Sequence, residues 1–234
     1  MAYLEGKNLV ASYGIVPILH ECSVEVEKGE LAVIVGPNGA GKSTVMRVLL
    51  GMLNATSGSV SLDGRDISAL STQDRISEGL AFVPQTKNVF PSMTVEENLQ
   101  MGGFIRQDDI NQTIEEVYSL FPILYEKRKQ LAEQLSGGQR QQVAFGRAMM
   151  TKPSIMLLDE PTAGVSPIVM DEIFSNILDV KNAGMAVLMV EQNAQQALNI
   201  ADKGYVLVSG RNEHSGTGKE LINNPEVRKK FLGG

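Results

Sequence analysis

The sequence predicts an α/β fold with a mostly parallel core sheet, an N-terminal antiparallel β segment and an inserted helical segment. Three features carry that expectation. LAVIV (31–35) is a continuous, β-branched run followed by a Gly-rich loop and the apolar-periodic TVMRVLLGML, the strand, loop and helix that open an α/β unit. IMLL (155–158) and MAVLMV (185–190) are apolar throughout and flank a helix-like Ile168–Lys181, as in a parallel sheet covered on both faces. Between these blocks, from about Thr94 to Met150, the periodicity is helical.

The remaining elements follow in chain order. Cys22, Val24 and Val26 alternate with Glu21, Glu25 and Glu27, as in a half-buried strand. Ser59–Leu62 followed by Asp63-Gly64 reads as a strand entering a hairpin turn. Thr94, followed by Glu96-Glu97, marks a helix start. Tyr205–Val208 supplies one more strand, and the tail from Lys219 reads as short helices broken at Asn224-Pro225. His20 is placed before the Cys22–Val26 strand and His214 in a late polar turn, both as surface or hairpin histidines.

Composition bounds the function. The 234 residues suffice for one large domain or two small ones with a real core. Hydrophobic residues at 43% and charged ones at 21% match ordinary soluble globular usage. A net charge of −6 offers no global basic field for nucleic acid or anionic lipid. One cysteine, Cys22, excludes an internal disulfide and suits a reducing compartment. MAYLEGKNLV has no basic segment leading into an apolar stretch, so no signal peptide is expected. The apolar runs fall far short of the roughly 18 residues that cross a bilayer. A soluble, cytoplasmic protein is expected, reaching a membrane only through a partner.

GPNGAGKS, running Gly36, Pro37, Asn38, Gly39, Ala40, Gly41, Lys42 and Ser43, matches G-x-x-x-x-G-K-[ST] between a predicted strand and a predicted helix. Its glycines let backbone N–H groups converge on phosphate oxygens, and the helix N-terminus adds its positive dipole end. Lys42 can reach β- and γ-phosphates, the Ser43 hydroxyl can ligate Mg²⁺, and Thr44 offers a donor near the α-phosphate. Asp159 and Glu160 end the IMLL strand, where ligands of open α/β sheets bind. An aspartate there can hold Mg²⁺ through water, and a second carboxylate can orient or deprotonate an attacking water. Two solvated loop acids are the alternative, weakened by the apolar strand and the phosphate loop. LSGGQ (135–139) places Ser136 and Gln139 in capping-box spacing, which alone marks a helix start. Two glycines and a serine at a positive helix end also make a second anion-binding surface.

LSGGQ between a phosphate loop and an apolar-Asp-Glu strand resembles the signature of ABC ATPases, and the resemblance covers essentially the whole chain. It implies a P-loop NTPase cassette: one domain over 1–234, with 1–86 and 153–234 forming the nucleotide-binding core and β subdomain, and 87–152 the helical signature subdomain. It implies ATP and Mg²⁺ as ligands and head-to-tail pairing, in which Ser136, Gly137, Gly138 and Gln139 meet the γ-phosphate held by the other chain. It makes Tyr13 the aromatic stacked on adenine, and Gln85 the glutamine that touches Mg²⁺ and the attacking water and senses the membrane partner. NVFPSMTVEENLQMGG (88–103), DEPTAGVSP, VEQNAQQALNIADKGYVLVSG and the terminal FLGG are similar to the LivF-type ATPase of branched-chain amino-acid importers, with urea and short-amide importer ATPases as near neighbours. The partners implied are the chain itself or a paralogous ATPase, integral membrane permease subunits and an extracytoplasmic binding protein. The place implied is the inner face of the cell membrane, on the permease. Val89–Pro91 and Thr94–Met101 are the expected partner-facing surface.

Two positions depart from the commonest family pattern. Ser166 stands where an aspartate ends the run after Glu160, keeping a hydroxyl and losing a charge. Gln192 stands where most relatives carry a histidine that bonds the γ-phosphate. Glutamine can donate to a phosphate oxygen but cannot carry a positive charge or titrate near neutrality. With Lys42, Mg²⁺ and the loop amides remaining, and Glu160 as base, hydrolysis is expected to persist. Two other readings stay open: a non-transport ABC ATPase, and a cassette that binds ATP as an assembly switch without hydrolysing it. The short stretch between Gln85 and Ser136, the single phosphate loop and the acidic balance oppose the first, and intact Glu160 opposes the second.

Overall fold

The computed structural model describes residues 2–231, so the last three residues of FLGG lie outside the described residues. The strands β1 (Leu4–Tyr13) and β2 (Val16–Val26) form a hairpin that closes at Tyr13 opposite Val16. After β3 (Leu31–Val35) comes α1 (Lys42–Leu49), then β4 (Ser57–Leu62) and β5 (Arg65–Asp66). The strands β2-β1-β4-β5, in that order, make an antiparallel four-stranded sheet. Asp63 and Gly64 turn the β4–β5 hairpin with φ of 47° and 78°, the left-handed pair that Asp-Gly favours in a two-residue loop. The helix α1 stops at Leu49, short of the apolar run predicted for it, because Gly51 takes φ of 72° and turns the chain out.

The second sheet gathers the apolar strands. After α2 (Thr72–Ser77) and β6 (Leu80–Val83), the chain runs through α3 (Val95–Gly102), α4 (Asn111–Leu120), α5 (Pro122–Glu126) and α6 (Gly137–Met149). It returns as β7 (Ile155–Asp159), α7 (Pro167–Asn182), β8 (Ala186–Val190), α8 (Ala194–Ile200), β9 (Lys203–Val208) and β10 (Arg211–Gly216), ending in α9 (Gly218–Asn223) and α10 (Pro225–Phe231). The order is β10-β9-β3-β8-β7-β6, parallel except for the antiparallel edge pair β9–β10.

Alternate residues of one strand serve two cores, which is why these strands read as unbroken apolar runs. Ala32, Ile34, Leu157, Leu188 and Val190 pack with α1 and the antiparallel sheet. Leu31, Val33, Val35, Met156, Leu158, Val187 and Met189 pack with helices that include the 95–149 segment. Thr94 and Ser136 each form a capping box, with Glu97 and Gln139 respectively, so both predicted helix starts carry their caps.

Both histidine placements need correcting. His20 lies inside β2, which starts at Val16, and its backbone N–H bonds Gly210 O at 2.9 Å. His214 lies in β10 and not in a turn. That strand is polar and alternates exposed with half-buried positions, as an edge strand can without an apolar run to announce it.

Candidate nucleotide-binding and catalytic site

Four adjacent parallel strands, β3, β8, β7 and β6, end along the same edge of the sheet. Ile34 is level with Val190, Asp159 with Val190, and Leu158 with Val83. The loops that follow carry GPNGAGKS, Gln192, Asp159-Glu160 and Gln85, so sheet register assembles residues distant in sequence. A cavity of about 340 Å³ opens there, lined by Ile18, Asn38 to Thr44 and Glu160.

The phosphate loop is shaped by its glycines. Gly36 has φ of 149°, and a Cβ there would lie 2.1 Å from the Leu207 carbonyl oxygen. Gly39 and Gly41 have φ of 80° and 98°, and Gly41 is the left-handed residue that starts α1. The buried Lys42 folds back over the loop, its ammonium donating to Gly36 O at 2.8 Å and Pro37 O at 3.3 Å. Burial pulls its pKa down, while the carboxylates of Glu160, Asp159 and Glu191 act in the opposite sense.

Glu160 is buried, and its backbone sits at φ of 46°. Its Oε2 accepts from Gln192 Nε2 at 2.7 Å and from Gln85 Nε2 at 3.1 Å. Both glutamines are exposed, so their amides can turn toward an incoming phosphate. Beside it, Asp159 Oδ1 is buried and has no hydrogen-bond partner. Burial and the neighbouring Glu160 charge push the Asp159 pKa up, against the Ser43 hydroxyl bond and the Arg47 and Lys42 charges. An orphaned carboxylate oxygen, a hydroxyl and the Gln85 amide form an all-oxygen set that fits a hard divalent cation. Among the described residues no three or more acidic, His or Cys side chains converge as a metal site, so such an ion would draw most of its shell from phosphate and water.

Residues 19–163 match the family model described as ABC transporter. The chain belongs to the ABC transporter family. It is 45% identical over 223 residues to the high-affinity branched-chain amino acid transport ATP-binding protein BraG of Pseudomonas aeruginosa, covering 95% of this chain and 96% of the relative. It is 38% identical over 228 residues to the probable branched-chain amino acid transport ATP-binding protein LivF of Archaeoglobus fulgidus, covering 97% of each. The lipopolysaccharide export ATP-binding protein LptB of Haemophilus influenzae is 33% identical over 237 residues, covering 100% of this chain and 98% of the relative. Among solved structures, an ABC transporter's ATP-binding cassette in its ADP conformation superposes with a TM-score of 0.90 at 30% identity, covering 100% of both chains. A nucleotide-free ATP-binding cassette gives 0.88 at 30% identity and the same coverage.

The other sequence-predicted positions of this ABC transporter cassette lie apart from the cavity. Tyr13 ends β1, its hydroxyl accepting from Arg47 Nη1 at 3.1 Å. Ser136 is exposed at the start of α6, its Oγ accepting from Gln139 N at 3.2 Å, and Gly137, Gly138 and Gln139 form the first turn. None of the four lines the phosphate-loop cavity. Ser166 is the N-cap of α7 without a side-chain cap bond. Sequence reading missed Arg47 and the acid Glu191. Glu191 had a visible signal, an acid directly after an apolar strand, but its partner Thr162 is distant in sequence.

Proposed function

We propose that this chain binds and hydrolyses ATP to power an importer of branched-chain or other hydrophobic amino acids, working as one half of a head-to-tail ATPase pair. The observation that carries the chemistry is Glu160, a buried carboxylate lining the cavity of the phosphate loop, with two glutamine amides on one oxygen. The amino-acid substrate is drawn from the names of the relatives BraG and LivF.

Amides of the 36–44 loop and the α1 N-terminus hold the triphosphate, and Lys42 exchanges its carbonyl partners for phosphate oxygens. Ser43, Asp159 and Gln85 would hold Mg²⁺, which when bound neutralises charge on the phosphates. Glu160 accepts the proton of the attacking water through Oε1, while Gln192 fixes Oε2. The Tyr13 ring stacks on adenine. Ser136, Gly137, Gly138 and Gln139 close over the partner's nucleotide, using the helix end that carries their capping box.

For docking to a membrane permease, we assign the groove lined by Met52, Phe82, Pro84, Lys87, Met101 and Arg147, which shares Met101 with the expected partner-facing surface. Asn98, fully buried, braces that side by accepting from Phe90 N at 2.8 Å and donating to the Phe90, Met93 and Thr94 carbonyls. Among the described residues no helix is long and apolar enough to cross a membrane, so membrane attachment on the cytoplasmic face is assigned to that contact.

The deciding experiment is isolation of the native membrane complex and assay of its ATP hydrolysis with and without branched-chain amino acids. Amino-acid-stimulated hydrolysis, lost in Glu160→Gln with ATP binding kept, is the expected result. Stimulation by another solute class would reassign the substrate.

A further inference from the structure

Glu191 is 1% exposed, buried under the Gln192 loop, and does not line the phosphate-loop cavity. Both its oxygens are engaged, each by a different loop. Oε1 accepts from Thr162 N at 2.9 Å and from Thr162 Oγ1 at 2.7 Å. Oε2 accepts from Gln192 N at 2.9 Å and, more weakly, from Asn193 N at 3.4 Å. Asn193 Nδ2 closes the ring by donating to Thr162 Oγ1 at 2.9 Å. Thr162 follows Glu160 by two residues, and Gln192 follows Glu191 directly. We propose that Glu191 is a positioning residue that ties the loop after β7 to the loop after β8, and so holds Glu160 and Gln192 in contact for phosphoryl transfer.

Strand pairing alone does not secure that contact. The parallel ladder ends at Asp159 and Val190, and beyond it the backbone adds the Glu160 N to Val190 O bond at 2.9 Å. Glu160 then enters the left-handed region at φ of 46°, a conformation kept only where surroundings impose it. A carboxylate suits that task because both oxygens accept and neither donates, so it can satisfy four converging N–H and O–H groups. An amide of the same shape would set an NH₂ against at least one backbone N–H in either flip.

This inference rests on the roles proposed for Glu160 and Gln192, and the experiment separates the two. In the native complex, kcat and KM for ATP are measured for Glu191→Gln, Gln192→Ala and the double variant, with Glu160→Gln as control. We expect Glu191→Gln to lower kcat by about 10–100-fold, the range for losing one or two charge-assisted bonds, with KM for ATP within about twofold. In the Gln192→Ala background that loss should shrink to less than about threefold, because residues acting as a unit are not additive. An unchanged kcat, a raised KM with unchanged kcat, or an equal loss in both backgrounds overturns the positioning role. If Glu191→Gln fails to assemble, Thr162→Val, which removes only the hydroxyl of the ring, is run through the same cycle with the same criteria. Hydrolysis surviving in Glu160→Gln would instead overturn the assigned base, and with it the proposed function.

Discussion

Gln192 Nε2 lies 2.7 Å from Glu160 Oε2, so the residue expected where the family pattern carries histidine is bonded to the carboxylate we propose as the base. The task we propose for Gln192 needs no ionisable group: its amide donates to Glu160 and can donate equally to a phosphate oxygen. Gln192→Ala should lower turnover by roughly 10–1000-fold, the range for losing one preorganised donor, with little change in nucleotide affinity. Gln192→His should retain most of it. Steady-state hydrolysis and nucleotide titration check both, and full activity in the alanine variant would remove Gln192 from the site.

Much of this site was legible because single loops carry it. GPNGAGKS and Asp159-Glu160 announce themselves by spacing beside apolar strands. The ring of Glu191, Thr162 and Asn193 was not legible, since it forms only where the ends of β7 and β8 lie side by side. The strand β10 was missed for a related reason: a polar edge strand is defined by its pairing with β9 and not by its own pattern.

Tyr13 and Arg47 test the base site. The Arg47 guanidinium lies 5.9 Å from the Tyr13 ring centroid and donates to its hydroxyl at 3.1 Å. Loss of base–aromatic stacking costs roughly 1–3 kcal/mol, so Tyr13→Ala should weaken ATP binding roughly 5–150-fold by the tenfold-per-1.4 kcal/mol relation. Tyr13→Phe loses only the arginine tie and should stay within about threefold, the low end for one exposed hydrogen bond. Titration with a fluorescent ATP analogue distinguishes the two.

The metal assignment makes a paired prediction. Chelating Mg²⁺ should abolish hydrolysis, and Asp159→Asn should reproduce that loss at saturating Mg²⁺ because the orphaned Oδ1 is then part of a neutral amide. Hydrolysis in Asp159→Asn with an unchanged Mg²⁺ dependence would take Asp159 out of the metal set.

Cys22 supplies a pH test of the core. Burial pushes its thiol up to about 12 from 9.0, so the folded protein keeps the proton that the unfolded chain releases. The unfolded state therefore binds fewer protons between those values, and stability falls as pH rises through that window, by at most about 1.4 kcal/mol per pH unit from this one group. Below pH 9 the contribution is flat. Cys22→Ala should lose less stability between pH 9 and pH 10.5 in urea titrations than the parent, whose thiol should alkylate only as fast as the protein opens.

The phosphate loop offers a contrast between two glycines that share a left-handed backbone. At Gly39 a methyl group meets nothing within 4 Å, so Gly39→Ala carries only conformational strain, about 1–2 kcal/mol. At Gly36 the same methyl would sit 2.1 Å from the Leu207 carbonyl oxygen, a backbone atom of β9 that cannot swing aside. Strand β9 is held between β3 and β10, so the collision must displace the loop itself. Gly36→Ala should therefore lose nucleotide binding, or fold poorly, while Gly39→Ala folds and binds with reduced affinity. Thermal unfolding with and without ATP separates the two: a ligand-induced rise in Tm should persist in Gly39→Ala and vanish in Gly36→Ala.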